Sequence, residues 1–168
     1  MRNFIRGDPV NDSKTNATRI VEERCGVCEV HSLELGKEGF TDAAELAGRL
    51  GLPLESVFKT LVTEGKSGAF YVFMVPCAER LDLKKAARAC GEKNLEMLPQ
   101  KDLLKVTGYV HGGCSPVGMK KQFPTWIDES CVLSDTVCFS AGRPGFLLEV
   151  GTERFLAEFP VECAELTV

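Results

Sequence analysis

The sequence predicts an α+β fold, a single compact domain in which helices surround a mixed, mainly antiparallel sheet. Three observations carry that prediction. The 168 residues suffice for one core, burying on the order of 70% of the surface that the unfolded chain exposes. Strand-like segments come as adjacent pairs joined by short glycine turns, which is the grammar of antiparallel hairpins. Helical segments separate other strands without a regular β-α-β alternation, which argues against a doubly wound parallel sheet. Composition agrees, since 44% hydrophobic and 26% charged residues are ordinary for a globular domain and exclude long disorder.

The elements follow in order. Residues 1–11 read as a flexible N-terminal arm, and 12–168 as the domain. Asp12 or Ser13 is suited to cap a helix running to about Glu23, with Ala17, Ile20 and Val21 on one face. The segment VCEVHSL alternates as a strand does. Thr41 or Asp42 starts a second helix, which groups Ala43, Leu46, Ala47 and Leu50 and stops at Gly51. VFKTLVTEG and AFYVFMV then form a buried hairpin. Asp82 caps DLKKAARACG, whose Leu83, Ala86, Ala87 and Cys90 share a face. NLEML is a short strand, and PQKDLLKVTG a helix with Pro99 near its first turn. TVCFSAG and GFLLEV make another hairpin around Gly-Arg-Pro-Gly, TERFLAEF is a short amphipathic helix, and VECAELTV a final edge strand.

Charge and cysteine usage narrow the function classes. A formal charge of −4 disfavours a protein that coats DNA or RNA non-specifically, because that mode neutralises many phosphates at once. Lys84, Lys85 and Arg88, and likewise Lys101 and Lys105, read as solvated helix faces. Apolar runs are too short for a bilayer and the N-terminus has no apolar signal core, so a cytoplasmic protein without a membrane partner is expected. The eight cysteines then read as reduced thiols. Cys25, Cys28 and His31 have C-x-x-C-x-x-H spacing, but a zinc site needs a fourth ligand, and a strand over these residues turns Cys28 and His31 to opposite faces. No metal and no cofactor are expected.

Two features remain that ordinary packing does not explain. Lys59 shares a strand face with Val57 and Leu61, among core-type residues. A buried ammonium without a partner costs several kcal/mol, so the alternatives are a carboxylate inside the protein, a ligand oxygen, or a stem that snorkels to water. The segment GYVHGGCSPVGMKK is the second feature. Gly112, Gly113 and Gly118 allow backbone angles or close approaches closed to other residues, and Pro116 stiffens the turn. Successive N–H groups there can form an anion site beside Lys120 and Lys121. Cys114 is a possible thiol nucleophile, but no base adjoins it, His111 being three residues away. Ser115 and Ser140 suit hydrogen bonding to a ligand better than nucleophilic attack.

Taken together, SVFKTLV, the DLKKAARA helix, GYVHGGCSPVGMKK and SAGRPGFLLEV, in that order from about residue 15 to 165, resemble the YbaK/EbsC family of aminoacyl-tRNA deacylases. That family is related to the editing domain of bacterial prolyl-tRNA synthetase. The resemblance implies a barrel-like mixed sheet and a trans-editing enzyme that removes a mischarged amino acid, typically cysteine from tRNA(Pro), without a metal. It places the essential lysine on Lys59, the G-x-x-x-P loop on Gly112 to Pro116, and the family's Ser-Gly-Gly on Ser140, Ala141 and Gly142. It also implies that the substrate's own thiol attacks its ester, so that Cys114 is not needed as a nucleophile. The expected partner is the aminoacyl-tRNA acceptor end, touched by Lys120, Lys121 and Arg143, with prolyl-tRNA synthetase or an elongation factor as helper. Two departures bear on specificity: Leu33 stands where many members have tyrosine, and Gly142-Arg143-Pro144-Gly145 carries one cation where Gly-Lys-Arg-Gly carries two. The alternatives are a deacylase for alanyl- or seryl-tRNA, and a non-catalytic aminoacyl- or nucleotide-binding module.

Overall fold

A computed structural model describes residues 14–36 and 42–168. The arm at 1–11 and the proposed caps Asp12, Ser13 and Thr41 lie outside the described residues. Helix α1 (Asn16–Cys25) is capped by Thr15, whose hydroxyl accepts the Thr18 N–H at 3.1 Å. Then come β1 (Glu29–Ser32) and α2 (Ala43–Arg49), the latter capped by Asp42. β2 (Phe58–Gly65) and β3 (Phe70–Pro76) form the expected hairpin. They are followed by α3 (Leu83–Cys90), β4 (Leu95–Met97) and α4 (Gln100–Thr107). The last third holds β5 (Thr125–Asp128), β6 (Thr136–Ser140), β7 (Phe146–Gly151), α5 (Thr152–Glu158) and β8 (Val161–Ala164).

The strands divide between two sheets. One has the order β4-β2-β3-β5-β8, antiparallel at β2 and parallel at β5, and the other is the antiparallel β1-β7-β6. A parallel bridge between Val57 and Cys138 joins them. The barrel-like curvature implied by the family resemblance therefore takes the form of two sheets meeting at one corner, and the barrel is not closed. β8 lies at a sheet edge, as expected. The sequence reading missed β5: four residues between Pro124 and a 3₁₀ turn carry no periodic signal, and their extended form comes from parallel pairing with β3 and β8.

The main core fills the space between the sheets. Phe58, Met74 and Ile127 from the larger sheet meet Val137, Phe139 and Leu148 from the smaller, and α1 and α5 close the side with Val21 and Phe155. Phe139 and Phe155 pack with ring centroids 5.0 Å apart. Each such side chain contributes about 1.5–3 kcal/mol through burial. The far face of the larger sheet packs Phe73 and Val75 against Ala86 and Ala87 of α3. At the corner, Leu46 and Ala47 of α2 cover Val57, Cys138 and Leu147. Among the described residues no helix is long and apolar enough to cross a membrane.

Candidate functional site

Alternation along β2 separates two sets of residues that matter for chemistry. Val57 belongs to the corner cluster under α2, and Phe58 and Val62 face the opposite way. Lys59 is partly buried, opposite Val75 in the hairpin register, and has no ion pair among the described residues. Its ammonium acts electrostatically on the neighbouring Cys77: burial pushes that thiol up, and the Lys59 charge pulls it partly back. Of the alternatives for this lysine, a carboxylate paired inside the described protein is thus excluded. Thr60, the next residue, points to the other face, and its Oγ1 is buried with no hydrogen-bond partner among the described residues. Nothing in the sequence marks Thr60, because a strand threonine usually finds a carbonyl.

The glycine loop packs on the Thr60 side of β2. Cys114 contacts the cluster of Val62, Val72 and Phe123, while Val117 enters the main core beside Phe58. Lys59 and the loop are therefore not directly opposed on one strand face. They are linked through the turn between β6 and β7. From the Val57–Cys138 bridge, β2 and β6 run parallel, Lys59 and Ser140 each lying two residues beyond it. The turn then meets the loop: a Cβ on Gly113 would lie 2.8 Å from Pro144 Cδ and 3.0 Å from its backbone nitrogen.

Tyr109, which sequence reasoning did not single out, joins the same parts. Its hydroxyl donates to the Val117 carbonyl at 2.5 Å, and its ring lies where a side chain on Gly142 would be, 2.9 Å from that position. Burial pushes this phenol up to about 12, so it stays a donor at neutral pH. The signal that could have found it is an aromatic residue set among positions that must be glycine.

The loop amides divide into two groups. Gly113 N–H donates to the Val110 carbonyl at 3.0 Å, and Val117 N–H to Ser115 Oγ at 3.3 Å, so Ser115, fully buried, serves the loop itself. Gly112 and Gly118, at φ 85° and 80°, hold the left-handed turns. The N–H groups of Gly112, Cys114, Ser115 and Gly118 make no hydrogen bond to the described residues. Pro116 is buried beneath the turn. Burial pushes the Cys114 thiol up to about 12, with a bond to Thr107 opposing weakly, so it is protonated at neutral pH and unsuited to attack.

The remaining residues surround this junction. Ser140 Oγ accepts the Gly142 N–H at 3.1 Å, which folds the turn onto itself. Leu33 N–H donates to the Gly145 carbonyl at 2.9 Å, and its side chain joins the corner cluster with Val57 and Cys77. Arg143 lies exposed, its guanidinium 4.7 Å from the centre of the Phe146 ring. Lys120 and Lys121 are exposed beside the loop, the Lys120 stem lying along Gly108. His111 is exposed as well. The structure thus gathers Leu33, Ser140, Gly142, Arg143 and the 112–118 loop around one turn.

Residues 37–157 match the profile described as the aminoacyl-tRNA editing domain. The chain belongs to this family. Over 154 residues, 92% of its length and 93% of the relative's, this editing domain is 40% identical to a protein of Enterococcus faecalis provisionally named Cys-tRNA(Pro)/Cys-tRNA(Cys) deacylase EbsC. It is 31% identical over 78 residues to the proline–tRNA ligase of Fervidobacterium nodosum, a stretch covering 46% of this chain and 13% of the ligase. A solved structure provisionally described as a trans-editing enzyme for prolyl-tRNA synthetase superposes with a TM-score of 0.76 at 28% identity, covering 92% of this chain and 98% of that one. The matched span of the editing domain includes Lys59, the glycine loop and the β6–β7 turn, while Leu33 precedes it.

Proposed function

We propose that this editing domain is a cytoplasmic deacylase that removes cysteine from tRNA(Pro). The observation that carries the reading is a partly buried Lys59 with no ion pair among the described residues, beside a turn that holds a glycine loop with unspent N–H groups. The relative from Enterococcus faecalis, with its provisional deacylase name, supports the substrate class.

An aminoacyl ester is already activated, so positioning and stabilisation of the developing oxyanion suffice. In the proposed reaction the thiol of the cysteinyl group attacks its own ester carbonyl. A C–S bond forms, the C–O bond to the terminal ribose breaks, and the thiol proton ends on the ribose oxygen, releasing a cyclic thiolactone and free tRNA. The amides among residues 112–118 receive the oxyanion. The Lys59 ammonium holds the carbonyl oxygen or the terminal phosphate of the acceptor end. Lys120, Lys121 and Arg143 supply the local positive charge that an otherwise acidic chain needs near RNA. With so few cations, contact is confined to the acceptor end, and prolyl-tRNA synthetase or an elongation factor delivers the substrate.

The test is deacylation of cysteinyl-tRNA(Pro) by the wild type and by Lys59→Ala. Turnover is expected to fall by about two orders of magnitude or more in the variant, the size seen when a group stabilising the transition-state charge is removed. Undiminished turnover in a folded variant would remove the mechanism. Seryl-tRNA(Pro), which has no thiol, should survive incubation with the enzyme.

A further inference from the structure

His31 was set against two cysteines by its sequence spacing. In the fold it belongs to another group. Cys25 and Cys28 pack toward the main core, while His31 shares the other face of the small sheet with two carboxylates. Glu29 and Glu149 are direct cross-strand partners in the β1–β7 register, so their side chains leave the sheet side by side. Like charges at such a pair are destabilising unless a positive group lies between them. His31 Nε2 lies 2.8 Å from Glu149 Oε1 and 3.8 Å from Glu29 Oε2.

We propose that Glu29, His31 and Glu149 form a binding site for one divalent transition-metal ion of the zinc class. The three ligand atoms lie within 4.8 Å of one another. Around an ion bonded at about 2.1 Å, neighbouring ligand atoms stand roughly 3.0–3.5 Å apart, so only a small rotation is required. The half-exposed Glu29 side chain is able to make it.

Three further features suit an ion. The second oxygen of Glu149 accepts the Thr136 hydroxyl at 2.6 Å, the outer hydrogen bond that typically fixes a ligating carboxylate. All three ligands sit on paired strands, which hold a ligand set more rigidly than loops do. A cleft of about 460 Å³ runs beside the two carboxylates, lined by Val27, Cys28, Glu29, Thr136, Glu149, Val150 and Gly151 and not by His31, so water reaches the site from the glutamate side. One imidazole with two carboxylates favours zinc, cobalt or manganese over the thiol-seeking copper(I). An ion here would pin edge strand β1 to β7, the strand that leads into Leu33 and the turn. This role is separate from ester cleavage and stands whether or not the proposed deacylase activity does.

Cobalt(II) is the probe, because its absorption distinguishes thiolate from nitrogen and oxygen ligands. Full-length protein, stripped with a chelator and kept reduced, is titrated with cobalt(II) chloride and then with zinc chloride. Expected is one saturable equivalent with weak visible bands and no near-ultraviolet thiolate charge transfer, displaced by zinc. Thr136→Val is expected to weaken binding about 10- to 100-fold. Glu29→Gln and Glu149→Gln should abolish it, and zinc should raise the thermal midpoint of the wild type but of neither variant. Absence of saturable uptake, uptake unchanged in Glu29→Gln, or a thiolate band would each overturn the proposal. The Glu29 variant keeps the test decisive if Glu149→Gln fails to fold, since its side chain is half in solvent.

Discussion

Gly113→Ala isolates the contact between the glycine loop and the β6–β7 turn. Gly113 is not among the residues at positive φ, so alanine costs little in backbone angle. What it meets is Pro144 and Arg143. The new Cβ would lie 2.8 Å from Pro144 Cδ, 3.0 Å from Pro144 N and 3.1 Å from the Arg143 carbonyl carbon. Two of these atoms are backbone and the third is in a rigid ring, so no side chain can swing away. Ordinary carbon contacts need about 3.5–4.0 Å, so the loop and turn must part by roughly 0.5–1 Å. Overpacking of this kind costs about 1–3 kcal/mol in stability. A displacement near 1 Å at groups that position a substrate costs about 100-fold in rate. Urea unfolding and single-turnover deacylation of cysteinyl-tRNA(Pro), measured on the same preparation, read the two effects separately. Gly26→Ala is the control: at φ 83° with nothing within 4 Å of the added Cβ, it should lose about 1–2 kcal/mol and keep its rate constant. A folded Gly113→Ala protein with unchanged single-turnover rate would refute the assignment of the loop to substrate.

Thr60→Val tests the orphan hydroxyl. Because Oγ1 is buried without a partner among the described residues, valine should leave stability unchanged or raise it by up to about 1 kcal/mol, while deacylation falls if a substrate oxygen is the missing partner; equal rates would assign the hydroxyl no role in binding. Alkaline unfolding gives another check. Burial pushes the Cys114, Cys131 and Cys138 thiols to about 12 from 9.0, so between those values the unfolded chain holds fewer protons than the folded one, and stability is full below pH 9 and falls as pH rises toward 12. Removing one of these thiols, as in Cys138→Ala, should flatten that decline, and a slope identical to wild type in urea melts at pH 8 to 10.5 would contradict it.

Much of the site was legible along the chain because its residues break local rules. A lysine between Val57 and Leu61, and glycines too dense for a helix or strand, stand out from the patterns around them. The hairpins were legible for the same local reason, since their strands and turns adjoin in sequence. Thr60 and Tyr109 were not, because neither residue type is unusual where it occurs. One is exceptional only for the partner it lacks, and the other only for the two glycines it touches.

The sequence by itself determined the helices, the hairpins and the identity of the lysine and the loop, because these depend on periodicity, capping and backbone freedom within a few residues. Only the tertiary structure decided that β5 is a strand, that the lysine and the loop lie on different faces of β2 and meet through the β6–β7 turn, and that His31 faces two glutamates instead of the cysteines beside it. Those outcomes depend on pairing and register between segments up to about 120 residues apart, such as Glu29 with Glu149, and contacts at that range are selected by burial and hydrogen bonding of the whole chain.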